Sequence, residues 1–153
     1  MKKIIFLDID GVLNVYPQGR DKYGSTFHTH FEDNLQEIID KTNAKIVISS
    51  TWRYSGLKVM QNMWRDRGLA GEVIDITPIE PNGIRGDEIA YWLQHNQVDT
   101  YVIIDDDSDM LPEQMPYFVR TSENYNHTDK VDVGYGLTKE CSLKAIDILN
   151  SKK

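Results

Sequence analysis

The feature that most constrains the fold is an apolar run near the start of the chain that ends in two carboxylates. Residues 4–7 are all branched or aromatic, with no polar alternation, which predicts a strand buried on both faces of a parallel sheet. Asp8 and Asp10 follow, and Gly11 comes directly after them. Ligands bind at the carboxyl ends of strands in open α/β sheets, and glycine lets the backbone turn sharply beside a ligand. The sequence therefore predicts a ligand site at the end of the first strand.

The spacing of the two carboxylates indicates joint chemistry. Asp8 and Asp10 are two residues apart, so on extended chain their side chains point the same way. Like charges this close raise each other's proton affinity, and a divalent cation offsets the effect by neutralising one carboxylate. Such a pair can supply one ionised acid that attacks and one acid that donates a proton. A lone Asp-x-Asp more often begins a solvated turn, but the apolar strand before it and the glycine after it favour the catalytic interpretation.

Residues 8–13, Asp-Ile-Asp-Gly-Val-Leu, resemble the first motif, DxDG[TV], of the haloacid dehalogenase (HAD) superfamily. The resemblance implies that Asp8 is a nucleophile that forms an aspartyl-phosphate. It also implies that Asp10 is the general acid and then the general base. Dehalogenases of the superfamily lack the second Asp and its P-type ATPases carry Thr there, so Asp10 indicates a phosphatase, with a phosphomutase as the alternative.

A second apolar run, residues 45–48, ends in hydroxyl side chains. An apolar strand that ends in Ser or Thr resembles the second HAD motif, whose hydroxyl binds the phosphoryl oxygens. The resemblance assigns that role to Ser49, with the neighbouring Ser50 as the alternative. Hydroxyls donate to an anion without adding charge, although they also commonly cap helices. Arg53 is the candidate for a substrate-binding fork, and a surface ion pair is its alternative role.

The third HAD motif is a basic residue near the start of the helix that precedes the last acidic strand. It balances the charge of the acids. At that position the sequence carries Arg85, which the resemblance makes a catalytic residue. Lys58 is the rival candidate, and an ordinary surface arginine is the remaining alternative.

A further apolar run, residues 100–104, ends in acids at positions 105–107 and 109. This pattern resembles the fourth HAD motif, in which acids at a strand end hold Mg²⁺ directly or through water. Hard cations such as Mg²⁺ prefer oxygen ligands. By itself, such an acidic run more often forms a solvated loop. The metal ligands that the resemblance implies are Asp8, Asp10 through its backbone carbonyl, Asp105 and Asp106, with Asp109 as a further candidate.

Strand-like runs and amphipathic helical patterns alternate along the chain. The alternation predicts an α/β fold, a three-layer α/β/α sandwich with a mainly parallel, Rossmann-like sheet. The length suits one domain, and the motifs imply a single HAD-like phosphatase domain over residues 1–153. The pattern leaves no room for a large cap domain. Residues 15–32 are predicted to form a short flap or loop near the active site.

Local patterns make finer predictions. A capping-box pattern predicts that a helix begins at Asp33. Residues 72–76 predict a weaker strand near a sheet edge, and residues 117–119 predict a final parallel strand. Thr138 is predicted to cap the last helix, whose inner face would carry Leu143, Ile146 and Leu149.

The sequence leaves the roles of His28 and His30 open. His28 and His30 would share a face on extended chain and could touch substrate or metal. No third ligand lies nearby in the sequence, so we expect ordinary exposed loop histidines. The role of His127 is open as well.

Charge, hydropathy and cysteine content exclude some classes of protein. The net charge of −7 argues against a broad surface that coats nucleic acid, although a small basic pocket is compatible with it. No stretch is apolar enough over sufficient length to span a membrane. A single cysteine, Cys141, excludes an intramolecular disulfide and favours a reducing cytoplasm. Nothing in the sequence indicates an obligate protein partner.

A narrower resemblance concerns the HAD-like domains of multidomain "Swiss army knife" RNA-repair proteins. It is carried by the segments DIDGVLN, SSTWR and IIDDDSD, by residues 85–93, and by Gly136-Leu137-Thr138. The resemblance implies a Mg²⁺-dependent phosphatase that hydrolyses a phosphomonoester through an aspartyl-phosphate, with a polynucleotide end as the suggested substrate. The alternatives are a phosphatase of nucleotides or small molecules, a phosphomutase and, from another class, a non-catalytic phosphate- or partner-binding module.

Overall fold

The computed structural model describes residues 1–15, 18–121 and 135–151. Its strands and helices alternate along the chain, with a small hairpin between the first long strand and the first helix. Short 3-10 helices at Thr51–Ser55 and Pro112–Tyr117 connect longer elements. In chain order, the elements are β1 (Lys3–Leu7), β2 (Arg20–Asp21), β3 (Gly24–Ser25), α1 (Thr29–Thr42), β4 (Lys45–Ile48), α2 (Leu57–Asp66), β5 (Val73–Ile76), α3 (Arg85–His95), β6 (Thr100–Asp105), β7 (Phe118–Arg120) and α4 (Lys139–Asn150).

The main sheet has five strands in the order β5-β4-β1-β6-β7, and all of its neighbours pair in parallel. Strand β1 lies at the centre, and its residues 4–7 are fully buried, as a continuous apolar run predicts. The weaker strand β5 lies at one edge and the short β7 at the other, which confirms both of those predictions.

Helices cover both faces of the sheet. On one face, Ile5 and Leu7 of β1 belong to a large core cluster that also contains apolar residues of α1, α2 and α4. On the other face, Ile4 and Phe6 pack in a smaller cluster with Ile89 and Trp92 of α3, among others. The predicted three-layer α/β/α sandwich with a parallel sheet is therefore confirmed. Among the described residues, no large cap domain is inserted between these elements.

The first helix begins one turn earlier than the sequence predicts. It starts at Thr29, not at Asp33. His28 precedes it, and the His28 ring meets the Phe31 ring edge-on at 5.4 Å between centroids. Both side chains are buried, and the His28 backbone N–H donates to the Leu13 carbonyl at 3.1 Å. These tertiary contacts outweigh the local capping pattern, and His28 is not the exposed loop residue that we expected.

The inner face of α4 is offset from the prediction. Thr138 caps the helix as predicted, because its Oγ1 accepts a hydrogen bond from the Cys141 N–H at 3.2 Å. Leu143, however, is 49% exposed, so its predicted inward orientation is wrong. The buried residues of α4 are Ser142, Ala145 and Leu149. Small residues at the first two of these positions let α4 approach α1 closely, and the Ser142 hydroxyl donates to the Asn34 carbonyl of α1 at 3.3 Å.

None of the helices in the described part of the chain combines the length and the hydropathy that crossing a bilayer requires.

Candidate active site

Three carboxylates converge at the carboxyl edge of the sheet. Asp8 follows β1, Asp105 ends β6 and Asp106 comes next. One oxygen of each carboxylate lies within 4.8 Å of the others. Asp105 is fully buried and Asp8 is nearly so. Leu7 pairs with Ile104 in the parallel register, so the acid that follows each of these residues lies at the same level of the sheet.

Arg85 is the cation that the fold brings to this acid cluster. It is the first residue of α3, and its Nη1 lies 3.2 Å from Asp8 Oδ1 and 2.5 Å from Asp105 Oδ2. The rival candidate, Lys58, lies exposed on α2. Asp109 contacts the same helix end, since its Oδ2 accepts a hydrogen bond from the Arg85 backbone N–H at 3.1 Å.

If the carboxylates of Asp8, Asp105 and Asp106 were all ionised, their negative charge would exceed the single positive charge of Arg85. Burial and the neighbouring Asp105 raise the pKa of Asp8 to about 9, against the opposing effect of Arg85. Burial likewise raises the pKa of Asp105. One guanidinium therefore does not fully balance these carboxylates. A set of convergent carboxylate oxygens with unbalanced negative charge suits a divalent cation, which would favour the ionised forms.

Because Gly11 has no side chain, the Asp106 carboxylate can lie directly beside it. Its φ of +84° is one that residues with a side chain rarely adopt, and a Cβ built at Gly11 would lie 2.1 Å from Asp106 Oδ2. The Thr121 hydroxyl donates to the Gly11 carbonyl at 2.8 Å and holds this turn in place. Glycine at this position thus allows the Asp106 carboxylate to reach the cluster.

Asp10 lies exposed at the edge of the site, and its carboxylate is not one of the three that converge. Its two oxygens have different partners: Asn14 Nδ2 donates to Oδ1 and Trp52 Nε1 donates to Oδ2, each at 3.1 Å. Strand β1 ends at Leu7, so strict alternation of side chains does not extend to Asp10.

Ser49 and Ser50, which follow β4, differ in their contacts. The Ser49 N–H donates to the Leu7 carbonyl at 3.1 Å, which places Ser49 next to the first acidic residue. Its side chain is fully buried, and its hydroxyl has no hydrogen-bond partner within the described residues. A buried hydroxyl without a partner is uncommon and suits the oxygen of a bound anion. Ser50 instead caps the 3-10 helix, since its Oγ accepts from the Trp52 N–H at 3.2 Å.

Arg53 is buried and directs its guanidinium into the protein framework. Its Nη2 lies 2.9 Å from Glu88 Oε2, and both side chains are almost inaccessible. Arg53 therefore forms an ion pair, but the pair lies in the interior and not on the surface, where the alternative placed it. None of the contacts found for Arg53 is with the acid cluster. Its nitrogens also donate to the backbone carbonyls of Ser49, Ser50, Thr77 and Pro78 at 3.0–3.1 Å.

The flap predicted for residues 15–32 contains the β2–β3 hairpin and the start of α1. His28 Nδ1 and Gln18 Oε1 lie 2.9 Å apart in a hydrogen bond. His30 is not the exposed loop histidine that we expected either: it lies partly buried on α1, where its ring packs on Phe31 with centroids 4.2 Å apart. Among the described residues, no histidine belongs to a group that could hold a metal ion. His127 lies outside the described residues.

Sequence reasoning did not assign a function to Trp52, Asn14 or Thr121, although each contacts a motif residue. Asn14 is four residues from Asp10, and a turn after a strand could suggest that contact. For Trp52 and Thr121 no local signal exists, because both reach their partners only through the tertiary fold.

A parallel sheet flanked by helices, with acids at the ends of two adjacent strands and a basic residue at a helix start, is the arrangement expected of an HAD-like domain. Residues 4–130 match the family described as "HAD domain in Swiss Army Knife RNA repair proteins". Because this match spans most of the sequence, the chain belongs to that family.

One solved structure similar to this chain is a putative HAD superfamily (subfamily III A) hydrolase from Legionella pneumophila. It is 15% identical, with a TM-score of 0.47, and the alignment covers 98% of this chain and 84% of the other. No curated protein sequence matches the chain.

Proposed function

We propose that the protein is a Mg²⁺-dependent phosphatase that hydrolyses a phosphomonoester through an aspartyl-phosphate on Asp8. The observation that carries this proposal is the convergence of Asp8, Asp105 and Asp106 with Arg85, next to the buried and unpartnered hydroxyl of Ser49. A nucleophile, a cation site and donors for phosphoryl oxygens are the parts that phosphoryl transfer needs.

In the first step, an Asp8 carboxylate oxygen attacks phosphorus and the bond from phosphorus to the ester oxygen breaks. Asp10 donates its proton to the departing oxygen, so the alcohol leaves neutral. In the second step, Asp10 removes a proton from water as the water attacks the phosphorus of the aspartyl-phosphate. The bond between phosphorus and the Asp8 oxygen breaks, inorganic phosphate forms, and Asp8 is restored as a carboxylate.

The remaining side chains stabilise the negative charge of the phosphoryl group and of the carboxylates. The Ser49 hydroxyl donates to a phosphoryl oxygen, and Arg85 offsets negative charge beside Asp8 and Asp105. The carboxylates of Asp8, Asp105 and Asp106, with the backbone carbonyl of Asp10, would hold Mg²⁺, whose charge would stabilise the phosphoryl oxygens in the transition state.

For the substrate, we propose a polynucleotide end. The family description refers to RNA-repair proteins, and the described residues contain no large cap that would close over a small substrate. Asp10 is exposed, which also favours hydrolysis over a phosphomutase reaction, because a mutase must keep water from its intermediate.

For the compartment, we propose a reducing cytoplasm, which a single cysteine favours.

The test is Mg²⁺-dependent phosphate release from a panel that holds an aryl phosphate, nucleotides, sugar phosphates, and 5′- and 3′-phosphorylated oligonucleotides. We expect Asp8→Asn to lower turnover by at least about a thousandfold, because an amide cannot act as the nucleophile. Asp33→Asn makes the same chemical change on an exposed position of α1 and should leave turnover unchanged.

Wild-type rates in a folded Asp8→Asn protein would contradict the mechanism. A preference for small phosphates over oligonucleotide ends would contradict the substrate proposal alone. No release from any ester would favour the non-catalytic binding module.

A further inference from the structure

Both oxygens of the Asp10 carboxylate accept a hydrogen bond from a side-chain N–H. Asn14 Nδ2 donates to Oδ1 and Trp52 Nε1 donates to Oδ2, each at 3.1 Å. Asn14 lies in the same turn as Asp10, whereas Trp52 comes from the 3-10 helix after β4. The indole N–H is a donor only, so Asp10 Oδ2 is the acceptor in this contact.

The Trp52 ring is itself held from several sides. Its backbone N–H donates to the capping hydroxyl of Ser50, and its ring packs against Phe27 with centroids 5.7 Å apart. A Cβ built at Gly24 of the hairpin would lie 3.4 Å from the ring, so the β3 backbone borders it. On another side, the Arg67 guanidinium lies 5.9 Å from the ring centroid. The ring therefore has little freedom to move the N–H away from Asp10.

The hairpin that borders Trp52 is anchored to the end of α2. Arg67 donates from Nε and Nη2 to the two oxygens of Asp21 on β2, at 2.8 and 2.7 Å. A paired fork of this kind fixes both distance and direction. Trp52 thus connects the exposed Asp10 carboxylate to packed parts of the fold on two sides.

We infer that Trp52 is a positioning residue that holds the Asp10 carboxyl for proton transfer to the leaving oxygen. The inference rests on the proposed phosphatase function. Proton transfer requires the donor and acceptor oxygens to lie about 2.6–3.2 Å apart in a suitable direction. An exposed aspartate without such a contact would populate several rotamers, and only some of them would present the proton to the substrate.

This role makes a prediction that depends on the leaving group. An alkoxide is a poor leaving group and needs the Asp10 proton as the bond to phosphorus breaks. A nitrophenolate leaves readily without it. Loss of Asp10 positioning should therefore lower kcat/KM for alkyl phosphates and affect 4-nitrophenyl phosphate much less.

The experiment compares Trp52→Phe with Trp64→Phe on both esters. The first variant keeps an aromatic ring but removes the N–H donor. Trp64 provides a matched control, because it also packs on Phe27 and its Nε1 donates to the Ala70 carbonyl at 3.0 Å, in the core beside α2. We expect kcat/KM of Trp52→Phe to fall about tenfold more on the alkyl phosphate than on the nitrophenyl ester, a factor within the range that one hydrogen bond supports. Trp64→Phe should change both by the same factor.

A second readout does not depend on turnover. The chain has three tryptophans, so its NMR spectrum should show three indole N–H signals. Asp10→Ala should shift the Trp52 signal and leave those of Trp64 and Trp92 in place.

Each outcome decides the inference. Equal losses on the two esters in Trp52→Phe, or an unmoved Trp52 signal in Asp10→Ala, would overturn the positioning role while the phosphatase proposal stands. A wild-type protein with no Mg²⁺-dependent turnover on either ester or on phosphorylated oligonucleotides would overturn the proposed function, and this inference with it.

Discussion

At the scale of single residues, the buried pair of Arg53 and Glu88 is a polar contact that supports the framework of the site. Its side chains are 1% and 4% exposed, with 2.9 Å between Nη2 and Oε2. Glu88 Oε2 also accepts the backbone N–H of Glu80 at 3.0 Å, and Arg53 donates to the carbonyl of Ser49. The pair therefore joins α3 to the chain that carries the proposed phosphate-binding hydroxyl.

Removing one partner of such a pair leaves the other charge buried and unpaired. We expect Glu88→Ala to lower the free energy of unfolding by about 3–5 kcal/mol. The control is Glu72→Ala, which breaks the exposed pair of Glu72 with Lys45, also 2.9 Å long, and should cost less than about 1 kcal/mol. Urea unfolding of both variants measures the difference. Similar losses in the two would show that burial does not set the strength of these pairs.

At the scale of elements, the site is a product of strand register. Leu7 of β1 pairs with Ile48 of β4 on one side and with Ile104 of β6 on the other. The next residue of each strand therefore reaches the same edge, and these residues are Asp8, Ser49 and Asp105. Helix α3 then begins at this edge with Arg85. Short turns complete the site, and in the turn at Gly11 the absence of a side chain leaves room for Asp106.

Gly11→Ala should displace Asp106, because the added Cβ would lie 2.1 Å from its Oδ2. We expect the Mg²⁺ concentration for half-maximal phosphate release to rise about tenfold or more. The control is Gly68→Ala. It also places a side chain at a positive φ, +64°, but nothing lies within 4 Å of the new Cβ. The positive φ alone should cost each variant about 1–2 kcal/mol of stability, measured by thermal unfolding. An unchanged Mg²⁺ requirement in folded Gly11→Ala would contradict this account of the turn.

At the scale of the whole molecule, the acid cluster opposes folding when no cation is bound. Asp8 has an ordinary carboxyl pKa of 3.8 in the unfolded chain, and burial with Asp105 nearby raises it to about 9 in the fold. Between these values the folded protein holds a proton at Asp8 that the unfolded chain has released. The contribution of Asp8 to stability is therefore greatest below pH 3.8 and declines as the pH rises toward about 9.

Asp8→Asn removes this dependence. Without divalent cations, we expect the variant to exceed wild type in free energy of unfolding by on the order of 1–3 kcal/mol near neutral pH. The difference should grow between pH 3.8 and about 9. Urea unfolding in chelator across this range measures it.

Added Mg²⁺ should stabilise wild type more than the variant, because a ligand stabilises the state that binds it. A variant that is less stable than wild type in chelator at every pH would contradict the assignment of the raised pKa to Asp8.

The layers of the fold and the acids of the site can be predicted from the amino-acid sequence. Continuous apolar runs can be recognised as central parallel strands because such strands are buried on both faces, and the residue after each run must then lie at the carboxyl edge. The same reasoning predicts that Asp8, Ser49 and Asp105 lie at one edge of the sheet. Membership of the HAD family, first suggested by these motifs, is shown by the match over residues 4–130.

Contacts between side chains that are distant in sequence, in contrast, depend on the tertiary fold. Arg53 has the same local sequence whether it faces substrate or Glu88, and the start of α1 depends on how His28 packs against Phe31. Trp52 reaches Asp10 across 42 positions of sequence. Local patterns report burial and backbone preference, which are properties of neighbouring residues. Pairings between distant side chains depend on how the layers pack, and no local pattern encodes that.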